Sequence, residues 1–510
     1  MLPKKSGTAS GGGVVSSVHR NSSHAAAGYV GVALVLAGAM MLTPLIALLA
    51  FPEETALAPY FIFPSVGTML VGYLVYYFGA KGAAAMTLTR VEAAGVTTLI
   101  WVLAVVVYAI PLVLSGILGI PEAIFESTSG LTTTGFTVVD VASCPKLFLL
   151  HRSLMHYVGG VGLILVLACV VSDAHGLKMY NAEGHTERLL SGVTSSARTV
   201  LVLYTGIIVA GVVALAVAGM PVFDAINISI SAVSTGGFAV RPDSMASYDS
   251  FAIELITVVL MLAGATNFLL NFMLLQGKFR AFLRHAETLP FWGIVVVSTI
   301  LLAAMLLAGD EADTPLEAMR IGLFQVVSVM TSTGLQTVPS FATLLSGILY
   351  VLVFLMVVGG EAGSTAGGIK VYRLVVYVKG MLWSLREKFG HRRRVYSTKI
   401  NRFGKSLECS KEELSSVQMY VGVYMTLLAI CGFVFALFGA SVGEAVFETA
   451  SCLGNTGVGV GFIQNGSSPV VLLAGSAAML FGRLEIFPLV FGLRWMLHGI
   501  GEEARSVARR

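Results

Sequence analysis

The chain is short of charge for its length. Of its 510 residues, 12% are charged and 56% are hydrophobic, whereas a soluble globular domain is about 25% charged. This low charged fraction excludes a soluble globular protein, which would need a charged surface. Apolar runs long enough to cross a bilayer as helices recur at residues 28–50, 97–118, 200–218, 292–308 and 419–438. We therefore expect an all-α polytopic membrane protein, because a barrel would show shorter, alternating strands.

The sequence also lacks motifs for disulfide formation, metal binding, nucleotide binding and catalysis. The 5 cysteines are scattered, so we expect neither a disulfide framework nor a metal site. No Walker motif is present, and no aromatic pattern accompanies the basic residues, which disfavours binding of nucleotide or nucleic acid by this chain. A membrane-embedded enzyme would need a reactive constellation, but His151 and His156 stand alone. We expect no enzymatic activity and no organic cofactor, and we predict that His156 is a satisfied interface residue.

The charges that are present lie in alternate loops. Residues 1–27 lack the apolar core of a signal peptide, and their Gly/Ser-rich composition predicts a disordered cytosolic tail. Basic residues follow every second span and are densest at residues 370–405, whereas Glu53, Glu54, Asp310 and Asp313 lie in the opposite loops. Since Lys and Arg favour the cytosolic side, this bias predicts that both termini are cytosolic.

One polar motif occurs four times in this apolar chain. The copies read AIFESTSGLTTTGF, AINISISAVSTGGF, GLFQVVSVMTSTGL and AVFETASCLGNTGV, and they align on Gly135, Gly237, Gly334 and Gly457. Each copy follows a long apolar segment and a short amphipathic segment, which starts near Pro121, Pro221, Pro315 or Gly443, and each precedes a second long apolar segment. The repeat therefore predicts four units of helix, half-helix, loop and helix.

The repeat also predicts the organisation of the chain. We expect the first helices at residues 92–118, 199–218, 291–308 and 416–438, and the second at 147–172, 251–276, 341–358 and 469–499. Two extra spans, near residues 28–50 and 61–79, precede the first unit. The predicted domains are a tail at 1–27, a two-helix domain at 28–90, and pore repeats at 91–198, 199–290, 291–412 and 413–510.

Non-helical backbone at membrane depth is tolerated where it is buried or lines water. Four such loops around one axis can aim carbonyl oxygens inward and replace the hydration shell of a monovalent cation. Carboxylates, which would suit a divalent or less selective path, are absent from the loops. A packing role for the Thr and Gly residues is the simpler alternative, but it does not explain four copies in the same context. The predicted selectivity filter comprises Thr133, Thr134, Gly135, Thr235, Gly236, Gly237, Ser332, Thr333, Gly334, Asn455, Thr456 and Gly457.

A glycine-rich break in the third unit is a candidate gate. The segment GGEAGSTAGG at residues 359–368 follows an apolar run that is too short to cross the membrane alone. Each glycine disfavours a helix by about 1 kcal/mol relative to alanine, so a break at membrane depth is favoured over a surface turn. The predicted gate residues are Gly359, Gly360, Gly363, Ser364, Thr365, Gly367, Gly368 and Lys370, with Glu361 as a further polar member.

Single polar residues in the spans have two interpretations each. Arg483, expected in the middle of the last apolar helix, is either a barrier in the pore or the structural partner of Glu485 or Glu448. Glu126 and Glu448 occupy equivalent places on two half-helices, and we predict that they bond backbone amides rather than the ion. Asn267 and Asn271 could line the cavity, although packing between helices is the favoured role.

The sequence resembles the Trk/Ktr/HKT superfamily of potassium transporters from about residue 28 onward. The most specific stretch is VVGGEAGSTAGGIKVYR at residues 357–373, which is similar to the family's intramembrane loop. GRLEIFPLV at 482–490 and HYVGGVGLILV at 156–166 resemble the signatures of the fourth and first units. The two added N-terminal spans favour the Trk-type pore subunit, TrkH, over the shorter Ktr type.

The resemblance implies a function and partners. Four units in one chain would form one potassium pore in a bacterial inner membrane, with glycine at all four filter positions and Gly135 in the first unit. It implies that residues 359–368 are an intracellular gate and that Arg483 faces the pore. It also implies a homodimer and a cytosolic TrkA-like regulatory ring that binds nucleotide, while the permeant potassium ion needs no organic cofactor.

Two questions stay open at this level. The basic arm at residues 379–405 is explained by topology alone, by anionic membrane lipids or by docking of the cytosolic partner. A secondary transporter coupled to protons or sodium is the main alternative function, with Glu361 or Glu485 as its embedded carboxylate.

Overall fold

The computed structural model describes residues 12–79, 89–162, 193–389, 399–403 and 405–507. Within these ranges the chain is helical apart from loops and one two-stranded hairpin. Six helices are long and apolar enough to cross a membrane, or eight if each of two sharply bent pairs counts as one span. The prediction of an all-α polytopic membrane protein with four repeated units and two preceding spans is confirmed.

Two helices precede the repeats. Helix α1 (Gly12–Met41) and helix α2 (Pro59–Gly79) pack along each other, and two short 3-10 turns (Thr43–Leu49 and Pro52–Leu57) join them. A Cβ on Gly72 would lie 2.8 Å from the carbonyl oxygen of Gly31, so small residues allow this close approach.

The prediction of a disordered tail differs from the structure. Helix α1 begins at Gly12, so residues 12–27 are helical, while residues 1–11 lie outside the described part of the chain. The physical reason is cooperativity, because a helix nucleated in the apolar segment extends into polar residues at little cost.

Each of the four units contains an outer helix, a short pore helix and an inner helix. Unit 1 comprises α3 (Arg90–Leu114), α4 (Ile120–Leu131) and α5 (Lys146–Val161). Unit 2 comprises α6 (Val193–Val217), α7 (Val222–Val233), α8 (Phe251–Ala265) and α9 (Phe268–Leu275), with the short turn Ser244–Tyr248 before α8 and the short α10 (Phe279–Leu283) after α9. Unit 3 comprises α11 (Thr288–Ala308), α12 (Pro315–Met330), α13 (Ser346–Val358), α14 (Val371–Phe389), β1 (Lys399–Arg402) and β2 (Lys405–Glu408). Unit 4 comprises α15 (Lys411–Leu437), α16 (Val442–Leu453), α17 (Pro469–Arg483) and α18 (Phe487–Val507).

The pore helices begin where their local sequence dictates. Proline occupies the first turn of α4 and of α12, where its missing N–H is not needed. Thr314 caps α12 by accepting from the Glu317 N–H at 3.2 Å, and Ser441 forms a capping box with Glu444 at the start of α16. Helix α4 has 12 residues, which span about 18 Å, so it enters the membrane without crossing it.

The inner helices close the four units into a ring. Helix α5 contacts α4 and the next pore helix, α7, and α8 contacts α7 and α12. In the same way α13 contacts α12 and α16, and α17 contacts α16 and α4. Since the last contact returns to the first unit, the four pore helices surround a common axis.

Three inner helices approach their own pore helix at a glycine. A Cβ on Gly159 would lie 1.9 Å from the carbonyl oxygen of Leu131, the last residue of α4. Equivalent Cβ atoms on Gly264 and Gly482 would lie 2.4 Å and 2.2 Å from the carbonyl oxygens of Val233 and Leu453. Glycine is thus required where inner and pore helices meet.

The inner helices of units 2 and 4 correct the prediction of unbroken segments at 251–276 and 469–499. Helices α8 and α9 meet at 114°, and α17 and α18 meet at 115°. At the first break the Asn267 side chain accepts from the Leu269 N–H and starts a new helix. At the second, Glu485 and Ile486 adopt positive φ. The continuation of the unit-1 inner helix, predicted to reach residue 172, lies outside the described residues beyond 162.

The hairpin in the basic arm was not predicted. Strands β1 and β2 pair antiparallel with Lys399 opposite Glu408. The stretch KINRFGKSLE carries a signal for it, because two alternating runs flank a two-residue turn that ends in glycine. The HRRR sequence at residues 391–394 lies outside the described ranges.

We predict that Gly159→Ala weakens the fold, because its Cβ would overlap the Leu131 carbonyl. Overpacking of this kind costs about 1–3 kcal/mol, so the thermal midpoint of the detergent-solubilised protein should fall. Gly206→Ala is the matched control, since Gly206 lies within α6 and a Cβ there has open space. Equal midpoints for the two variants would show that the close approach at Gly159 is unimportant.

Candidate functional site: a ring of carbonyls on the pore axis

The four polar loops meet one another in cyclic order. A Cβ on Gly135 would lie 2.2 Å from the carbonyl oxygen of Gly236 in unit 2. A Cβ on Gly237 would lie 2.0 Å from that of Thr333, one on Gly334 would lie 1.9 Å from that of Thr456, and one on Gly457 would lie 2.0 Å from that of Thr134. We name these four glycines the ring glycines and the four residues that carry the oxygens the ring-carbonyl residues. The sequence-predicted loops are therefore brought together around one axis.

The ring glycines also adopt a backbone conformation that favours glycine. Their φ angles are 94°, 81°, 81° and 77° in chain order. A side chain at any of them would be strained by its own backbone and would overlap the neighbouring carbonyl. Glycine is thus required at these positions for two reasons: the positive φ and the lack of room for a side chain.

Each pore helix ends in the same left-handed turn. Thr133, Thr235, Ser332 and Asn455 have φ between 52° and 58°. In unit 1 the N–H of Thr133 donates to the Gly130 carbonyl at 3.2 Å and that of Thr134 to the Ser129 carbonyl at 2.9 Å, and equivalent bonds occur in the other units. This is the Schellman arrangement, but with Thr, Ser or Asn at the position that usually carries glycine.

A cavity lies on one side of the ring. It has a volume of about 240 Å³, and the four ring glycines and residues that follow them in each loop line it. The lining includes Thr137, Ala239, Gln336 and Gly459, one from each unit. The ring therefore borders a space that all four units share.

Polar side chains on three pore helices hold the loop after the ring. Glu126 accepts from the Val138 N–H at 2.9 Å and from the Thr137 hydroxyl at 3.0 Å. At the equivalent place in unit 4, Glu448 accepts from the N–H groups of Val460 and Phe462. These bonds confirm the prediction that both carboxylates bond the backbone. In unit 3, Gln325 occupies the equivalent place. With its amide oriented so that its hydrogen bonds are satisfied, the amide oxygen accepts from the Thr337 N–H at 2.8 Å.

Unit 2 has Ile228 at that place, and a buried arginine from unit 1 supports its loop in addition to Asp224 of α7, which accepts from Arg241. Arg152 on α5 is 1% exposed and pairs with Glu126 at 2.7 Å. Its guanidinium lies 4.0 Å from the ring centre of Phe238 and donates to the Ala239 carbonyl at 3.4 Å. Sequence analysis missed this residue, because an Arg near the start of a span looks like a topology signal.

The predicted gate residues form a buried, non-helical loop against the ring. We define residues 359–370 as the unit-3 loop, which lies between α13 and α14. The Thr365 hydroxyl lies 3.0 Å from that of Thr235 and donates to the Gly264 carbonyl at 2.9 Å. A Cβ on Gly367 would lie 2.2 Å from the Gly454 carbonyl oxygen. The loop therefore contacts the polar loops of units 2 and 4.

The other side of the unit-3 loop bonds to the break between α8 and α9. Glu361 accepts from the Asn267 N–H at 3.0 Å, and its own N–H donates to the Ala265 carbonyl at 3.1 Å. The Asn267 amide donates to Ala362, while that of Asn271 donates to the Ala263 carbonyl at 2.8 Å. Asn271 thus bonds the broken backbone of its own unit, whereas Asn267 also bonds the neighbouring unit-3 loop, in keeping with the favoured packing role.

The unit-3 loop is also linked to the hairpin. Glu287 accepts from the Ala362 N–H at 2.7 Å and lies 3.3 Å from His285. His285 in turn accepts from the Phe403 N–H in the hairpin turn at 3.4 Å, and the Ala286 N–H donates to the Asn401 carbonyl at 2.9 Å. A chain of polar contacts therefore joins the basic arm to the loop beneath the ring.

Arg483 is the last residue of α17 rather than the middle of a continuous helix. Its guanidinium donates to the Thr365 carbonyl at 2.8 Å and to the carbonyls of Gly159 and Gly160. It therefore connects the unit-3 loop with the inner helix of unit 1. Neither predicted structural partner accepts these bonds, since they all go to backbone carbonyls.

Lys370 and Arg373 both pair with Glu485, the residue at the break between α17 and α18. Lys370 itself has a positive φ of 73° at the end of the unit-3 loop. This cluster of three charges fixes the loop to the fourth unit, and its position explains why the last inner helix bends there. The sequence did not reveal it, because Glu485 lies more than a hundred residues from both of its partners.

His156 differs from its prediction. It is fully buried beside Gly236, and neither ring nitrogen has a hydrogen-bond partner among the described residues. Its interface is the polar loop of unit 2, where the described residues offer it no hydrogen-bond partner.

Comparisons with known proteins agree with this architecture. The sequence matches the family model described as TrkH, cation transport protein, over residues 96–498. It is 32% identical to the Trk system potassium uptake protein TrkH of Vibrio parahaemolyticus over 73% of this chain and 78% of that protein. It is 28% identical to an uncharacterised cation transporter of Methanocaldococcus jannaschii over 89% of this chain and 91% of that protein.

The crystal structure of the potassium transporter TrkH from Vibrio parahaemolyticus has the same fold. The TM-score is 0.81 at 28% identity, and the match covers 92% of this chain and 97% of that one. The resemblance to a Trk-type pore subunit is thereby confirmed, as is the prediction that the chain is not an enzyme. From its sequence match and its architecture together, the chain belongs to the TrkH family of cation transport proteins.

Proposed function

We propose that the chain is the pore subunit of a potassium uptake system and conducts potassium through the ring of carbonyls. The observation that carries this proposal is the cyclic contact of each ring glycine with the next unit's carbonyl. Such a ring offers peptide oxygens in place of the hydration shell of a monovalent cation. The C-terminal ends of the four pore helices meet the ring, and their partial negative charge favours a cation there.

The twelve predicted filter residues support potassium as the permeant ion. They include no carboxylate, so the ion meets carbonyl and hydroxyl oxygens rather than fixed charge. Glutamates that lie near the loops bond backbone amides instead. The names of the relatives, which include potassium uptake proteins of Vibrio and Salmonella, agree with this choice of ion.

The unit-3 loop and Arg483 are proposed to form the gate and the barrier below the ring. The loop contacts the filter segments of units 2 and 4, and Arg483 extends the contact to unit 1. The loop and Arg483 together contact the other three units, so ions that leave the ring on that side have to pass them. Its movement would open the path, and the charge of Arg483 would slow a cation that passes it.

Control from the cytosol is proposed to act through the basic arm. The hairpin lies outside the membrane-spanning helices and is linked to Ala362 through His285 and Glu287. A cytosolic nucleotide-binding partner that docks on the arm could thus shift the unit-3 loop. A homodimer and an inner-membrane location with cytosolic termini complete the proposal, and they rest on the family resemblance and the distribution of charge.

Coupled secondary transport is disfavoured by the state of its candidate carboxylates. Glu485 pairs with Lys370 and Arg373, so it already has two cationic partners. Glu361 accepts from the Asn267 backbone N–H. Both groups have structural roles that proton exchange would disrupt.

We predict that Gly135→Ser lowers potassium preference in purified protein reconstituted into liposomes. The serine Cβ would displace the Gly236 carbonyl, so sodium permeation should rise relative to potassium. The measurement is rubidium uptake and its inhibition by added potassium or sodium. Gly219→Ser is the matched control, because Gly219 has a similar φ of 98° but open space around it.

The same assay tests the proposed function itself. The wild-type protein should take up rubidium with inhibition by potassium, and uptake that is absent even with a cytosolic partner and ATP would refute it. A Gly135→Ser variant with an unchanged ion preference would refute the filter assignment alone.

We predict that Arg483→Gln raises ion flux about tenfold or more. The change removes a charge and the bonds from Arg483 to Thr365 and Gly159, and 1.4 kcal/mol of barrier corresponds to a tenfold rate. The measurement is the initial rate of rubidium uptake per reconstituted protein. Arg280→Gln, which removes an exposed charge from the short helix α10, should leave the rate unchanged. Equal rates in both variants would favour a purely structural role for Arg483.

A further inference from the structure

The second filter loop differs from the other three at one position. The ring-carbonyl residue is a threonine in units 1, 3 and 4, namely Thr134, Thr333 and Thr456, but it is Gly236 in unit 2. Gly236 does not have a positive φ, unlike the ring glycine that follows it. Its backbone conformation is thus accessible to any residue. The presence of glycine here must therefore be explained by the lack of room for a side chain.

The ring of His156 occupies the space that a side chain at position 236 would need. A Cβ on Gly236 would lie 2.4 Å from Nδ1 of His156 and 2.5 Å from its Cγ. The imidazole also stacks on Phe238, with ring centres 4.2 Å apart and planes 17° apart. The side chain is fully buried, and its two nitrogens have no hydrogen-bond partner among the described residues. The imidazole therefore contacts Gly236 by van der Waals packing rather than by a hydrogen bond.

The threonines of two other loops are held by hydroxyl bonds that Gly236 cannot make. The Thr134 hydroxyl lies 2.7 Å from that of Thr132 and accepts from the Asn455 amide at 3.0 Å. The Thr333 hydroxyl lies 2.8 Å from that of Thr331. Unit 2 lacks the side chain that would bond in this way, and the imidazole of His156 fills the space that such a side chain would take.

We propose that His156, a residue of the unit-1 inner helix, replaces the missing threonine and fixes the Gly236 carbonyl in the ring. It acts as a positioning residue for ion selectivity, since it touches the backbone that carries the oxygen rather than the ion. The inference rests on the proposed potassium function. It extends that function by assigning the unit-2 part of the filter to a side chain from unit 1.

The physical consequence concerns the discrimination between ions. A carbonyl ring discriminates between potassium and sodium through the number, spacing and stiffness of its oxygens. Without the imidazole, a space would open behind Gly236, and the loop could relax into it. We therefore expect the ion preference to change before uptake itself is lost.

The experiment is a cycle of four proteins in the liposome assay: wild type, His156→Ala, Gly236→Thr and the double variant. His156→Ala should lower the potassium-over-sodium preference about tenfold, which is within the coupling expected for residues in contact. Gly236→Thr should abolish uptake, because the threonine overlaps the imidazole. The double variant should regain uptake and preference, because the threonine then fits as it does in the other units.

Two further variants separate positioning from general stability. His156→Phe keeps a ring of similar size and should retain the wild-type preference. His151→Ala removes a buried histidine from the same helix, one that contacts Tyr108 and Phe61 instead of the filter, and it should leave the preference unchanged. Thermal midpoints of all variants identify those that fail to fold, and the phenylalanine variant keeps the test decisive if His156→Ala is among them.

The outcomes that overturn the inference are distinct from a failure of the proposed function. A wild-type protein without potassium-preferring uptake would remove the function itself. If the wild type is selective, three results would each overturn the inference alone. These are an unchanged preference in His156→Ala, a lost preference in His156→Phe, and a double variant as inactive as Gly236→Thr.

Discussion

The structure depends on one steric constraint, the contact of each ring glycine with a carbonyl of the next unit. Four such contacts form a closed cycle, so no unit can adopt its loop conformation independently of its neighbours. The cycle holds non-glycine residues such as Thr133 and Ser332 at positive φ, a conformation that costs about 1–3 kcal/mol per residue. Hydrogen bonds at the end of each pore helix offset this strain, because they satisfy carbonyls and N–H groups that would otherwise be buried unpaired.

Unit 2 departs from the pseudosymmetry at two positions, and the inner helix of unit 1 contacts its loop. Unit 2 has Ile228 where the other pore helices carry Glu or Gln, and Gly236 where the other loops carry Thr. Arg152 and His156, one turn apart on α5, contact this loop at Ala239, Phe238 and Gly236. A single helix face of unit 1 therefore supports the unit-2 loop, whose sequence departs from those of the other units at these two positions.

The sequence was most informative where function is encoded locally. The four polar loops and the start of each pore helix were predicted, because a glycine turn after a short amphipathic segment repeats in the sequence itself. The breaks in the second and fourth inner helices were missed, because the apolar runs continue through them. Those breaks depend on distant partners, Glu361 for Asn267 and Lys370 for Glu485, and no local pattern records such pairs. Arg152 was missed because an arginine near the start of a span looks like a topology signal, and its partner Glu126 lies on another helix.

The three breaks in the inner helices lie next to one another and share a polar network. The unit-3 loop bonds to the break in unit 2 through Glu361 and to that in unit 4 through Lys370. Buried polar groups of this kind are costly to leave unpaired, so a small displacement of the loop would break several bonds together. Movement is thus favoured only when new partners replace the lost ones. The contact from the hairpin to Ala362 through Glu287 is where a force from the cytosolic side would first reach this network.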